Sequence, residues 1–459
     1  MSLPKELLTQ LAACVDPDQL ITAKEELLCY GYDGSGGNFP PEAVIFPASS
    51  EEVSAIMRVA SRFKLPVVPR GAGSGMTGGA LAVAGGLVLS LARMNRIVEI
   101  DTENQVALVE PGVINQELRD ALAPHGLFYP PDPASLKFCT MGGNVAECAG
   151  GPSAVKYGVT RDYILGLEVV LADGRIIKTG VRTAKGVAGY DLTRLLIGSE
   201  GTLAIITQIT LRLVPKPTHR RTVLLASPSL TAATGLVARL LRCLTPATLE
   251  YLDATALAIV ADQLPFPLPE GTRAMLLIEL DGSASEVASS AQALTDFLTG
   301  EELLLVRQSE TPQEREQLWQ ARRTVSPAAF KLKPDKMGED VVVPRSRIPQ
   351  LVETTEKLAR KSSLPIFTFG HAGDGNIHVN IMLDRSQPDE VEQARQAKKQ
   401  LFKRVIDLGG TISGEHGIGT TKKEYLDLEL DATSLELQRQ LKGLFDPLNI
   451  LNPHKILPD

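Results

Sequence analysis

Seven of the sixteen residues at positions 71–86 are glycine. A helix has to remove the extra backbone freedom that each glycine brings, so this density predicts a loop and forbids a stable helix. Missing Cβ atoms also let the backbone approach another group closely. The segment reads Pro69-Arg-Gly-Ala-Gly-Ser-Gly-Met-Thr-Gly-Gly79 and lies between two strand-like stretches, Pro66-Val-Val-Pro69 and Leu87-Val-Leu-Ser-Leu91. Successive N–H groups in such a loop can converge on an anion as a nest. Arg70 and Ser74 can add a charge and a hydroxyl. Taken alone, the segment is also compatible with a mobile surface loop.

Gly73-x-Gly75-x-x-Gly78 matches the spacing of the Rossmann dinucleotide fingerprint, with Glu99 at a suitable distance. That fingerprint needs a helix directly after its third glycine, so that the helix N-terminus meets the pyrophosphate. Here Gly79-Ala-Leu-Ala-Val-Ala-Gly-Gly leads toward a strand. The Rossmann reading is rejected on that ground, while the capacity for a phosphate nest stands.

The surroundings predict a small α+β unit. Leu7, Leu8, Leu11 and Ala12 mark a helix in residues 1–30. Ala43-Val-Ile-Phe46 reads as a strand, and residues 51–63 as a helix with Ser49 or Ser50 as cap. Further strands are predicted at Ala107-Leu-Val-Glu110, 164–172 and 202–213, and a second glycine-rich region spans 141–151. Pro215-Lys-Pro217 marks a boundary, after which longer helices alternate with strands such as Ala274-Met-Leu-Leu-Ile-Glu279.

Lys plus Arg number 47 against 54 Asp plus Glu, a net charge of −7. Without a clustered basic surface, nucleic-acid binding is not expected. No uninterrupted apolar run reaches the about 18 residues of a membrane span, and no signal peptide is predicted from the N-terminus. The five cysteines, Cys14, Cys29, Cys139, Cys148 and Cys243, contain no Cys-x-x-Cys pair. A disulfide framework and an iron–sulfur cluster on this chain are therefore disfavoured, and a cytoplasmic setting is expected.

Three of the six histidines, His371, His378 and His416, fall within 46 residues. Asp374-Gly375 is a turn signal, so His371 can fold back toward His378, and His378 and Asn380 share one strand face. Ser413-Gly-Glu415-His416-Gly-Ile-Gly419 is too glycine-rich for a helix. Two histidines and a carboxylate can hold zinc, iron(II) or manganese with open coordination positions. Such positions suit a bidentate 2-hydroxy acid, whose hydroxyl the metal would acidify. The zinc-protease helix motif His-Glu-x-x-His is absent, which leaves a flavin-free metallohydrolase little support.

The glycine loop resembles that of the vanillyl-alcohol-oxidase, or PCMH-type, flavoproteins. The resemblance continues through Pro131-Asp132-Pro133, Met141-Gly-Gly-Asn144, Ala149-Gly-Gly151, Lys156-Tyr-Gly158, Leu167-Glu-Val-Val-Leu-Ala-Asp-Gly174 and Gly198-Ser-Glu-Gly-Thr-Leu203. Gly370-His371, His378-Val-Asn380 and Ser413-Gly-Glu-His-Gly-Ile-Gly419 resemble the C-terminal domain of FAD-linked D-2-hydroxy-acid dehydrogenases. That family includes D-lactate and D-2-hydroxyglutarate dehydrogenases and the glycolate oxidase catalytic subunit.

The resemblance implies an α+β fold: an N-terminal helical segment (1–37), a two-subdomain PCMH-type FAD-binding domain (38–217), and an α+β cap (218–457). A ferredoxin-like antiparallel sheet in the cap would present the metal and His416. FAD would be held by Pro69, Arg70, Gly71, Ala72, Gly73, Ser74, Thr77, Gly78, Pro131, Asp132, Thr140, Gly142, Gly143, Asn144, Gly151, Tyr157, Gly158, Glu200, Gly201, Thr202, Ile206 and Asn452. Some members attach FAD through a histidine in or near the loop; Ser74 stands there, so non-covalent binding is expected.

By the same resemblance His371, His378 and Glu415 would hold the metal, His416 would be the base, and Asn380 would contact substrate. Arg322, in Leu318-Trp-Gln-Ala-Arg322, would grip the substrate carboxylate, with Arg323 its rival, Ser326 one helical turn on, and Lys336 in a stretch that departs from the family pattern. His454 replaces a usual glycine and is given no role. The implied reaction oxidises a small D-2-hydroxy acid, D-lactate or glycolate, to the 2-oxo acid with hydride transfer to flavin N5. Electrons would pass to a protein acceptor or quinone, such as an electron-transfer flavoprotein or a separate iron–sulfur subunit. D-2-hydroxyglutarate as substrate, or non-redox chemistry like that of alkyl-dihydroxyacetone-phosphate synthase, are the alternatives.

Overall fold

The computed structural model describes residues 3–458. Contacts divide it into two compact units. The first comprises residues up to Gly150, Val159–Lys216 and the chain from Glu415 onward; the second comprises Gly151–Gly158 and Pro217–Gly414.

In the first unit, a four-stranded sheet has the order Leu20–Ile21, Ala43–Ile45, Leu87–Ser90, Val67–Arg70. Its last three strands are parallel. The helix Ser50–Phe63 makes the crossover between Ala43–Ile45 and Val67–Arg70, and begins where the Ser49 side chain accepts from the Glu52 N–H. Its buried Val53, Ile56, Met57 and Ala60 repeat at helical spacing. Each large apolar side chain so buried contributes about 1.5–3 kcal/mol. An antiparallel five-stranded sheet follows, in the order Ile97–Asp101, Val106–Val109, Ile205–Arg212, Ile164–Val170, Ile176–Gly180.

The linear division at 1–37, 38–217 and 218–457 is not how the contacts fall. Leu3, Leu7 and Leu11 of the N-terminal segment lie in the same core as Val53, Ile56 and Leu87. Residues 415–458 also belong to the first unit. The Val67 N–H donates to Ile450 O, and the Asn452 N–H donates to Val67 O, so the C-terminal tail lines up beside the Val67–Arg70 strand.

The second unit is built on a seven-stranded sheet. Its order is Leu305–Gln308, His219–Ser227, Ala274–Gly282, Thr248–Asp253, Ile366–His371, Asn376–Leu383, Asp335–Val342. Every neighbouring pair is antiparallel. The helices Ala254–Val260 and Pro312–Ala328 share a core with Leu252, Phe367 and Phe369. No described helix is long and apolar enough to cross a membrane.

Candidate active site

The glycine loop leaves the carboxyl end of the Val67–Arg70 strand, where ligands of open parallel sheets bind. Among the described residues, no backbone N–H from Gly71 to Ala80 donates a hydrogen bond within the protein, although Thr77, Gly78 and Gly79 are buried. Buried N–H groups are rarely left without an acceptor. The amides of Gly71–Met76, Gly79 and Ala80, which line the cleft described below, can supply the donors that a pyrophosphate needs, so the residues present fit the FAD expected there.

The loop's shape is held from several sides. The buried Arg70 guanidinium donates to Tyr32 O (2.9 Å) and Ala80 O (3.3 Å), closing the loop on itself. Gly73 has φ +67°, and a Cβ there would lie 2.1 Å from that guanidinium. The Asn452 amide donates to Gly79 O (2.8 Å) and Glu200 O (2.7 Å), and Lys455 Nζ donates to Leu81 O (2.6 Å). Asn452 and His454 have φ +40° and +62°, so His454 occupies the left-handed conformation that favours glycine.

The loop lines a cleft of about 1300 Å³, counting the space open at its mouth. Of the predicted FAD residues, Pro69, Arg70, Gly71, Ala72, Gly73, Ser74, Thr140, Gly142, Gly143, Asn144, Glu200, Gly201 and Ile206 line it. Gly75, Met76, Glu147 and Cys139 join them, although none was among the residues expected to hold FAD. Thr77, Gly78, Pro131, Asp132, Thr202 and Asn452 do not line it; Thr77 and Asn452 support the loop from behind. Gly151, Tyr157 and Gly158 fall in the second unit, where the Tyr157 hydroxyl donates to Asp281 Oδ2 (2.8 Å).

His416 and Glu415 also line this cleft. This corrects the expectation that the cap sheet presents His416: the loop carrying His416 is fastened within the first unit. Glu200 accepts from the N–H groups of Ile418 (2.7 Å) and Gly419 (2.8 Å). Thr77 Oγ1 donates to His416 O (3.0 Å), and Thr77 O accepts from the Thr420 N–H (2.8 Å). Burial pushes the Glu200 carboxyl up, while the two N–H groups, Lys455 and Lys422 oppose that rise.

The second unit holds a different cluster. The register sets Phe369 opposite His378, Phe367 opposite Asn380, Asp340 opposite His378 and Lys336 opposite Met382. Phe369, His371, His378, Asn380, Lys336 and Gly338 therefore share one sheet face. Continuing the pairing of Tyr251 with Gly370 by one residue brings Glu250 opposite His371 on that face. The His371 and His378 Nε2 atoms lie 3.4 Å apart with their rings nearly perpendicular, at 85°. Two nitrogens bound at 2.0–2.1 Å to one tetrahedral ion stand about 3.4 Å apart, so the pair fits as two ligands of a single metal.

Glu250, with no exposure, sits behind His371, its Oε1 2.6 Å from His371 Nδ1. Its Oε2 accepts from Arg322 Nε (2.7 Å) and Nη2 (2.5 Å). The Arg322 guanidinium also lies over the Phe369 ring, 4.6 Å from its centroid. The Nε–Nη2 edge of the Arg322 guanidinium is thus turned toward Glu250. Arg323, its rival, pairs with Glu316 at the surface.

Lys336 has the opposite character. It is half-buried, its Nζ donates to Ser326 Oγ (2.7 Å), and no described carboxylate lies within ion-pair distance. Burial lowers its pKa below the ordinary lysine value. A Cβ at Gly338 would lie 3.6 Å from both Asn380 Oδ1 and Lys336 Cε, so the glycine keeps the space between them open. Sequence reasoning missed Glu250; the available signal was a lone carboxylate inside the apolar strand segment Leu249-Glu-Tyr-Leu252.

The family of FAD linked oxidases, C-terminal domain, matches residues 216–456, and the FAD binding domain family matches residues 41–180. The chain belongs to the FAD-linked oxidase family. It is an FAD-dependent oxidoreductase with a PCMH-type FAD-binding fold. It is 43% identical to glycolate oxidase subunit GlcD of Bacillus subtilis (strain 168), over 98% of this chain and 97% of that protein. Identity is 36% to glycolate oxidase subunit GlcD of Escherichia coli (strain K12), covering 96% of this chain and 88% of the relative. Mitochondrial D-lactate dehydrogenase [cytochrome] of Arabidopsis thaliana is 34% identical, covering 99% and 80%. Among solved structures, p-cresol methylhydroxylase with substrate bound superposes with a TM-score of 0.83 at 19% identity, over 99% of this chain and 96% of that one; this likeness concerns the fold alone.

Proposed function

We propose that this FAD-linked oxidase oxidises a small D-2-hydroxy acid, D-lactate or glycolate, to the 2-oxo acid. One observation carries the reading: a single sheet face holds two imidazole Nε2 atoms 3.4 Å apart and, on the neighbouring strand, a half-buried ammonium with no carboxylate partner. A 2-hydroxy carboxylate offers the matching pair of groups, a hydroxyl for a metal and an anion for a cation. The relatives above are named glycolate oxidase subunits and a D-lactate dehydrogenase.

FAD, held non-covalently, supplies the two-electron acceptor. His371, His378 and Glu415 hold a divalent ion (zinc, iron or manganese), which supplies Lewis acidity toward the hydroxyl. Covalent continuity supports the third ligand: the Gly414 N–H donates to Asp340 O and Oδ2 in the second unit, and Glu415 is the next residue. Lys336 and Ser326 hold the substrate carboxylate, and Asn380 orients it. His416 takes the hydroxyl proton as C2 loses hydride. Electrons leave the chain to a quinone or a second protein, such as an electron-transfer flavoprotein or an iron–sulfur subunit. Two relatives are named as subunits, and no Cys-x-x-Cys pair exists here to hold a cluster. Five free cysteines accord with a cytoplasmic setting.

The test is the visible spectrum of the purified protein without oxygen. The yellow flavin bands should bleach on adding D-lactate or glycolate. A flavin that stays oxidised with both, but bleaches with D-2-hydroxyglutarate, moves the substrate to the dicarboxylate. A flavin that all three leave oxidised overturns the reading.

A further inference from the structure

Burying a carboxylate completely is costly unless charge and hydrogen bonds compensate. Glu250 has no exposure, and it stands on the central strand Thr248–Asp253. Its two oxygens are divided between two partners: Oε1 faces His371 Nδ1, and Oε2 is gripped by Arg322 Nε and Nη2. A carboxylate oxygen held by two nitrogens of one guanidinium is the geometry of an ionised carboxylate. Arg322 is itself fixed, buried and stacked on Phe369.

An ionised carboxylate only accepts hydrogen bonds. The proton of a neutral His371 is then held on Nδ1, and the lone pair lies on Nε2, the atom that faces His378 Nε2. The nitrogen a histidine offers to a ligand is set by the hydrogen bond its other nitrogen makes. We propose that Glu250 is the positioning residue of the second unit's cluster: it fixes the His371 tautomer and aims Nε2 outward, while Arg322 serves the site by holding Glu250 charged and in place. The inference rests on the metal reading above. It gives the Nε–Nη2 edge of Arg322 a task of its own.

Glutamine at 250 cannot do both jobs. Its one carbonyl oxygen can accept from His371 or from Arg322, and its amide N–H₂ must then face a donor. The experiment uses the full-length, FAD-loaded chain stripped of metal. Long-range proton–nitrogen correlation of histidine-labelled protein, with His371 assigned through H371Q, should show His371 protonated on Nδ1. Protonation on Nε2 overturns the proposal without any change at position 250. Zinc and manganese affinities are then measured by competition with a chromophoric chelator. E250Q with parental FAD content and melting temperature should bind about 10- to 100-fold more weakly, and E250D should recover part of the loss. Parental affinity in folded E250Q overturns the proposal alone. A parental protein that takes up neither ion overturns the metal reading, and the inference with it; if E250Q does not fold, the parental tautomer decides.

Discussion

The FAD-cleft loop and the histidine face of the second sheet are both polar sites, but they are made of different material. The loop offers backbone amides, shaped by glycine and braced from the C-terminal tail by Asn452 and Lys455. The sheet face offers side chains, set two residues apart on regular antiparallel strands. A backbone site tolerates side-chain changes that leave its path alone and fails when a Cβ or a lost brace moves the chain. A side-chain site behaves the other way, since its strands survive most substitutions while one missing atom removes a function. Changes near the loop should therefore release flavin first, and changes on the sheet face should alter the chemistry with flavin still bound.

His416 tests that contrast most severely, because its loop is fastened in the first unit by Thr77 and Glu200 while its imidazole is proposed to act as the base. His416→Ala leaves those backbone hydrogen bonds in place. FAD content should stay at the parental level while flavin reduction slows by about 10²-fold or more, the scale of a general base. Stopped-flow reduction without oxygen measures it; reduction at the parental rate removes His416 from the reaction. Lys336→Met comes next. A hydrogen bond to a charged group is worth about 1.5–3 kcal/mol, so KM for the acid should rise about tenfold or more, with FAD content unchanged. In the parental enzyme, burial holds the Lys336 ammonium below the ordinary lysine value, so its charge is lost sooner as pH climbs. KM should therefore rise on the alkaline side, and in Lys336→Met that rise should disappear. An alkaline KM limb that persists in the variant belongs to another group.

Much of this was legible in the chain, for identifiable reasons. The 71–86 loop was readable because glycine density acts locally, and the crossover helix because Ser49 and the 3.6-residue spacing act locally. The pairing of His371 with His378 followed from the Asp374-Gly375 turn, a contact between residues seven apart. What escaped depends on distance along the chain. The Asn452 brace reaches back 373 residues to Gly79, and Glu200 reaches 218 forward to Ile418. No local pattern encodes either contact, so the His416 loop was assigned to the sheet domain that precedes it. Glu250 escaped for a related reason: its partner Arg322 lies 72 positions later, on the helix Pro312–Ala328.

Asn452→Ala sharpens the contrast from the backbone side. It removes the donors to Gly79 O and Glu200 O, which costs about 1–3 kcal/mol for carbonyls left buried. It also puts alanine at φ +40°, a conformation asparagine tolerates better. FAD should dissociate several-fold more readily and the melting temperature should fall, while flavin reduction in the fully loaded fraction keeps its rate. A slowed chemical step at full loading would mean that the brace also positions the His416 loop. Ser326→Ala is the smallest change on the opposing face. The Lys336 ammonium loses one neutral acceptor but keeps its charge and strand position. A neutral hydrogen bond is worth about 0.5–1.5 kcal/mol, so KM should rise by a few-fold up to about tenfold, less than in Lys336→Met. If Ser326→Ala matched Lys336→Met in steady-state kinetics, the hydroxyl would itself be a substrate ligand, and the face would hold the carboxylate through two groups of comparable weight.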